Sequence, residues 1–114
     1  MRDYALYLKD ILEAMEAIEK FVEGIDRDSF QKNDMISSAV IRKFEIIGEA
    51  TKGIPEMMRN RYPKIPWKEM AGMRDRLIHF YFGIKYDLVW YTIKDVIPRI
   101  KPLILGILEE TKDQ

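Results

Sequence analysis

No cysteine occurs in the 114 residues, which excludes disulfides, thiolate nucleophiles and thiolate-held metals. Histidine occurs once, at His79. One imidazole without a thiolate is too few for a zinc site, so neither a metal nor any other cofactor is expected. No apolar run approaches the roughly 20 residues that cross a bilayer, and Met1-Arg2-Asp3-Tyr4 has no signal-peptide character. A cytoplasmic protein with no membrane partner is expected. Side-chain amides are confined to Gln31, Asn33, Asn60 and Gln114 while Ile, Glu and Lys abound, which points to a heat-adapted source. Net charge is also absent, with 19 basic and 19 acidic residues. The total therefore does not mark a general nucleic-acid binder.

What is present is an ordinary globular composition, 47% hydrophobic and 33% charged, in a length suited to one domain over residues 1–114. The charge is unevenly spread. Residues 1–34 carry nine acids against five bases, a net −4, and residues 52–76 carry seven bases against three acids, a net +4. The second stretch is either a set of solvated helix faces or a local basic face on a neutral protein.

The apolar spacing is helical almost throughout. Tyr4, Leu8, Ile11, Met15, Ile18 and Val22 form one stripe, and Gly24 is a natural stop. Asp28 is placed to cap a short turn through Phe30, and Asp34 to cap a helix carrying Ile36, Val40, Phe44 and Ile47. Gly53 and Pro55 end that helix, and Pro55 opens a short one through Arg61. Tyr62-Pro63-Lys64-Ile65-Pro66 reads as a linker. Trp67 to Gly83 is expected to be one helix. The last begins near Tyr86 or Asp87 with the stripe Val89, Ile93, Val96, Ile100, Leu103 and Ile107, kinked or broken at Pro98 and Pro102. No strand pattern is visible. The fold class is all-α, an antiparallel bundle of four main helices with one or two short ones.

In a continuous helix from Trp67 to Gly83, Met70, Met73, Leu77, Phe80 and Ile84 share one face, with Trp67, Ala71 and Ile78 beside it. That arc is wider than the roughly 100° stripe of a surface helix and implies two neighbours, one of them a second chain. Arg74 falls inside the arc and must be paired there. It is either a phosphate-binding arginine at a cleft floor or an ion pair with Glu45 or Glu49. His79 points elsewhere, with Asp75 one turn earlier at i,i+4 and able to orient the ring. It is either a general acid–base group or an ordinary surface histidine.

The run Arg74-Asp75-Arg76-Leu77-Ile78-His79-Phe80-Tyr81 resembles the R-x4-H-x-Y signature of HepT-like proteins in the HEPN superfamily. Asp10-Ile11-Leu12-Glu13-Ala14, Ile46-Ile47-Gly48-Glu49-Ala50 and Tyr62-Pro63-Lys64-Ile65-Pro66-Trp67 are similar to further blocks of that family, in order along the chain. The resemblance implies an HEPN-like helical homodimer or higher homo-oligomer that acts as a metal-independent endoribonuclease toxin. Arg74 and His79 would be its catalytic pair in a cleft at the dimer interface. Asp75 would support the site. Tyr81 would receive AMP from an MntA-like nucleotidyltransferase antitoxin, and RNA would be the substrate. A non-catalytic protein that supports a nucleotidyltransferase is the alternative, and zero net charge favours it. Lys85 departs from the family pattern where relatives often place a helix-capping acid, which leaves the start of the last helix open. One geometric difficulty stands. Arg74 and His79 lie about 140° apart on an ideal helix, so either the helix loosens before Gly83 or the pair meets across a dimer axis.

Overall fold

A computed structural model of the chain describes residues 4–79 and 83–112, with His79 and Lys112 described at the backbone only. Helix α1 (Tyr4–Phe21) buries Leu8, Ile11, Met15 and Ile18, and Val22 continues the stripe past its end. The chain then turns at Gly24, whose φ of +78° disfavours any side chain.

Helices α2 (Arg27–Lys32) and α3 (Asp34–Lys52) start from caps that differ from the expected Asp28 and Asp34. Asp26 accepts from the Ser29 amide at 2.8 Å, and Asn33 accepts from the Ile36 amide at 3.0 Å. A capping residue must keep extended backbone while its side chain reaches an amide three residues on. Asp26 and Asn33 do so, whereas Asp28 and Asp34 lie inside the first turns, where an acid still favours the helix dipole. The Ser29 amide hydrogen bond holds the Asp26 carboxyl below its usual range.

The carbonyl end of α3 is closed from outside. Arg59, on α4 (Glu56–Arg61), donates from Nη2 to Thr51 O at 2.9 Å and from Nε to Ile54 O at 3.1 Å. A cation there satisfies free carbonyls and the negative end of the dipole. The linker is pinned by Trp67, whose Nε1–H donates to Arg59 O and Tyr62 O.

Trp67 to Gly83 is not one helix. It forms α5 (Trp67–Ala71), a turn at Gly72, α6 (Met73–Leu77) and an extended segment β1 (Ile78–His79). β1 pairs antiparallel with β2 (Gly83–Ile84), Ile78 facing Ile84 and His79 facing Gly83. Helix α7 (Tyr86–Tyr91) starts where expected, with no side-chain cap from Lys85. It passes through a π-turn (Thr92–Val96) into α8 (Ile97–Lys112). Pro98 explains the wide turn: it has no amide to offer the Lys94 carbonyl, and Ile97 N–H reaches back to Thr92 O instead. The helix then runs unbroken through Pro102, so the distortion precedes the prolines. It also shifts the apolar stripe. Ile97, Ile100, Ile104 and Ile107 are buried, while Val96 is half-buried and Leu103 exposed.

The result is the all-α bundle expected: α1, α3, α5–α6 and α7–α8 as the main bodies, with α2 and α4 short. The core runs through Ile18, Phe30, Phe44, Ile47, Met70, Leu77 and Ile104. Among the described residues no helix is long and apolar enough to cross a membrane.

Phe44 is almost completely buried in the middle of α3. Phe44→Ala should lower the unfolding free energy by about 3–5 kcal/mol, read from urea denaturation midpoints. A loss below about 1 kcal/mol would mean that α3 does not carry the core.

Candidate functional site

The site is set by how closely two helices approach. A Cβ on Gly48 would stand 3.3 Å from Ala71 O and 3.4 Å from Met70 O. Helix α3 therefore lies against the backbone of α5 at a distance that only glycine tolerates without displacement. Glu45 is one turn before Gly48, and Arg74 is three residues beyond Ala71. The contact brings them together: Arg74 Nε donates to Glu45 Oε2 at 2.9 Å. Arg42 Nη1 stands 3.8 Å from the other Glu45 oxygen. These residues line a groove of about 200 Å³ together with Glu49, Lys52 and Asp75.

Arg74 is thus paired with one of its two expected partners, Glu45, while Glu49 pairs with Lys52 at 3.4 Å. Its environment differs from the expectation. The Arg74 side chain is 57% exposed rather than buried in an apolar arc, and the helix expected to carry that arc ends at Leu77. Met70, Met73, Leu77 and Trp67 are buried as expected. Arg42 was not anticipated, although its i,i+3 spacing to Glu45 is a readable signal.

The chain leaves the helix at Ile78 (φ −123°, ψ 129°), so His79 follows Arg74 across a helix end rather than on a helix surface. This removes the angular separation of a continuous helix. It also removes the i,i+4 relation between Asp75 and residue 79, which requires an unbroken helix. Asp75 is instead highly exposed, with Oδ1 3.8 Å from Arg74 Nη1. Tyr81, expected as a modification site, lies outside the described residues.

Chemically, the groove offers an anion a guanidinium whose Nε is held by Glu45. Its Nη1–Nη2 edge makes no hydrogen bond among the described residues. That edge is the fork that binds a phosphate with two parallel hydrogen bonds.

The sequence model of the family described as "Ribonuclease HepT-like" matches residues 11–107, a span that includes α3, α5, α6 and the Arg74–Tyr81 run. Similar proteins occur in archaea and bacteria. A Methanocaldococcus jannaschii protein named "Putative RNase MJ0125" is 47% identical over 113 residues, covering 99% of this chain and 97% of its own length. "Probable ribonuclease HepT" of Thermococcus cleftensis is 48% identical over 100 residues, covering 88% of this chain and 91% of itself. "Putative RNase TTE0752" of Caldanaerobacter subterraneus is 43% identical over 106 residues, covering 93% and 95%. No solved structure matches.

If the close approach at Gly48 sets the groove, a branched side chain must force α3 and α5 apart. Gly48→Val should destabilise the protein by about 1–3 kcal/mol in urea titration. A variant as stable as the parent would show that the contact is not a constraint.

Proposed function

The chain belongs to the ribonuclease HepT-like family, and on that premise we propose that it is a metal-independent endoribonuclease, the toxin of a toxin–antitoxin pair, acting as a homodimer through Arg74 and His79. The observation that carries this reading is the helix end at Leu77. It puts Arg74 in the last helical turn and His79 two residues beyond that turn, on extended backbone. Both flank one local structure.

The chemistry follows from the two groups. The RNA 2′-hydroxyl gives up its proton, its oxygen bonds to the adjacent phosphorus, and the bond from phosphorus to the 5′ oxygen breaks. That 5′ oxygen takes a proton, leaving a 2′,3′-cyclic phosphate. An imidazole that titrates near neutrality serves such proton transfers, worth about 10² to 10⁴ in rate. The Nη1–Nη2 edge of Arg74 holds the phosphate and the charge added in the transition state. A two-fold dimer through this face places two copies of the motif in one groove, so Arg74 of one chain can hold the phosphate while His79 of the other moves the proton. The groove lining supports a self-facing contact: Arg42, Lys52 and Arg74 balance Glu45, Glu49 and Asp75. Asp75 supports the site through Arg74, which it approaches in place of residue 79.

Tyr81 follows His79 by two residues. AMP transferred there by a cognate nucleotidyltransferase would add a phosphate and a bulky nucleoside beside the pair, repelling and excluding RNA. The alternative, a non-catalytic partner of such a transferase, is favoured only by the zero net charge.

The purified protein should cleave single-stranded RNA in EDTA, and His79→Ala or Arg74→Ala should each abolish cleavage. Mixing the two inactive variants should restore about a quarter of the parental rate if each site takes Arg74 from one chain and His79 from the other. Cleavage that needs a divalent ion, or that survives His79→Ala, overturns the mechanism. Failure of the mixture to recover activity overturns the shared site. Incubation with the cognate nucleotidyltransferase and ATP should add one AMP mass to the peptide containing Tyr81. An adduct found only elsewhere removes that residue's role.

A further inference from the structure

A second groove, of about 390 Å³, lies on the other side of α6 from Arg74, between α5–α6 and the α7–α8 helix. Its volume falls in the range of small-ligand sites. The floor is apolar, with Met70, Met73 and Leu77 contributed by α5–α6. Its rim is cationic: Lys64, Arg76 and Arg99 surround it with Glu69 as the one acid. None of these three cations has a carboxylate partner among the described residues. Arg99 donates instead to Asp95 O, and its Nη2 lies 3.4 Å from the Tyr91 hydroxyl. Tyr91 is 49% exposed at the lip, an aromatic ring held in place but not covered.

The π-turn is what opens this groove. By moving the buried stripe to Ile97 and Ile104, it leaves Val96 and Leu103 to line the cavity rather than the core. Such turns recur at functional sites.

We infer that this groove is a single-stranded RNA subsite, in which Tyr91 stacks one base while Arg76, Arg99 and Lys64 hold the flanking phosphates. The inference deepens the ribonuclease reading and rests on it for the identity of the ligand. Apolar floor, aromatic lip and unpaired cations are the combination that binds unstacked nucleotides. A duplex would keep its bases out of reach. Arg76 and Arg74 leave α6 on opposite sides, so a strand crossing this helix spans about 10 Å from cleavage site to subsite. A second copy of the chain is a poor occupant. A two-fold contact through this face would set three unpaired cations against their own copies.

The test uses the whole protein and a short fluorescent single-stranded RNA methylated on every 2′ oxygen, so that it binds but cannot be cut. Binding is read by fluorescence anisotropy over a salt series. Tyr91→Ala should weaken binding about tenfold, and Tyr91→Phe should restore it. Arg76→Ala should weaken binding and lower the salt slope by about one, while Lys32→Ala, at a residue that does not line the groove, should change neither. Parental affinity in both Tyr91→Ala and Arg76→Ala overturns the subsite. So does a Tyr91→Ala variant that binds RNA normally but sediments as a smaller species, which would make the face a contact between copies. Cleavage of unmethylated RNA is scored separately. A protein that never cleaves yet binds through Tyr91 loses the catalytic reading and keeps the groove. One that cleaves but binds independently of Tyr91 and Arg76 loses the groove alone.

Discussion

Two helices reach backbone contact only where one of them presents no side chain, and Gly48 is where α3 meets α5 in this way. Much of the site follows from that approach. Glu45, one turn earlier, is carried to within 2.9 Å of Arg74. Met70 and Leu77, on the α5–α6 segment, are driven into the core beside Phe44 and Ile47. Beyond Leu77 the chain leaves the helix, and Ile78 and His79 pair with Ile84 and Gly83 in a short ladder. Arg74 and His79 therefore lie on either side of a helix end.

The bundle was legible in the sequence because burial on α1 and α3 obeys one period without interruption, from Leu8 to Val22 and from Val40 to Ile47. Where backbone chemistry competes with that period, pattern reading fails. The Trp67–Gly83 stretch keeps helical spacing although Gly72 and the ladder interrupt it, because side-chain spacing does not report the loss of backbone hydrogen bonds. The stripe of the last helix slips to Ile97 and Ile104 because one extra residue enters at the π-turn. Caps moved to Asp26 and Asn33 for a local reason: several Asp and Asn residues stand near each start, and only φ and ψ choose among them. For the site, the identity of Glu45 as partner was readable and its exposed setting was not. That setting depends on where the helix stops.

Charge shows the same division between total and place. The basic stretch over residues 52–76 is partly consumed by structure: Arg59 closes α3, Lys52 meets Glu49 and Arg74 meets Glu45. Lys64 and Arg76 have no carboxylate partner among the described residues, and these converge with Arg99, from far along the chain, on one apolar groove. A neutral protein can thus present a small cationic surface without a field over the whole molecule. Weak overall attraction to nucleic acid with a few placed contacts is what a selective binder of short unstructured segments needs.

The exposure of Arg74 also bears on whether the groove can exchange one anion for another. A buried arginine–carboxylate pair loses about 3–5 kcal/mol when one partner is withdrawn, since a charge is left stranded out of water. An exposed pair is worth about 0–1 kcal/mol. At 57% exposure Arg74 belongs near the second case, so its contact with Glu45 orients the guanidinium without locking it. A phosphate arriving at the Nη1–Nη2 edge need not displace Glu45 from Nε, and even full displacement costs little beside a charge-assisted bidentate contact. The surface setting that the sequence did not predict is therefore the one in which this arginine can both stay aimed and change partners.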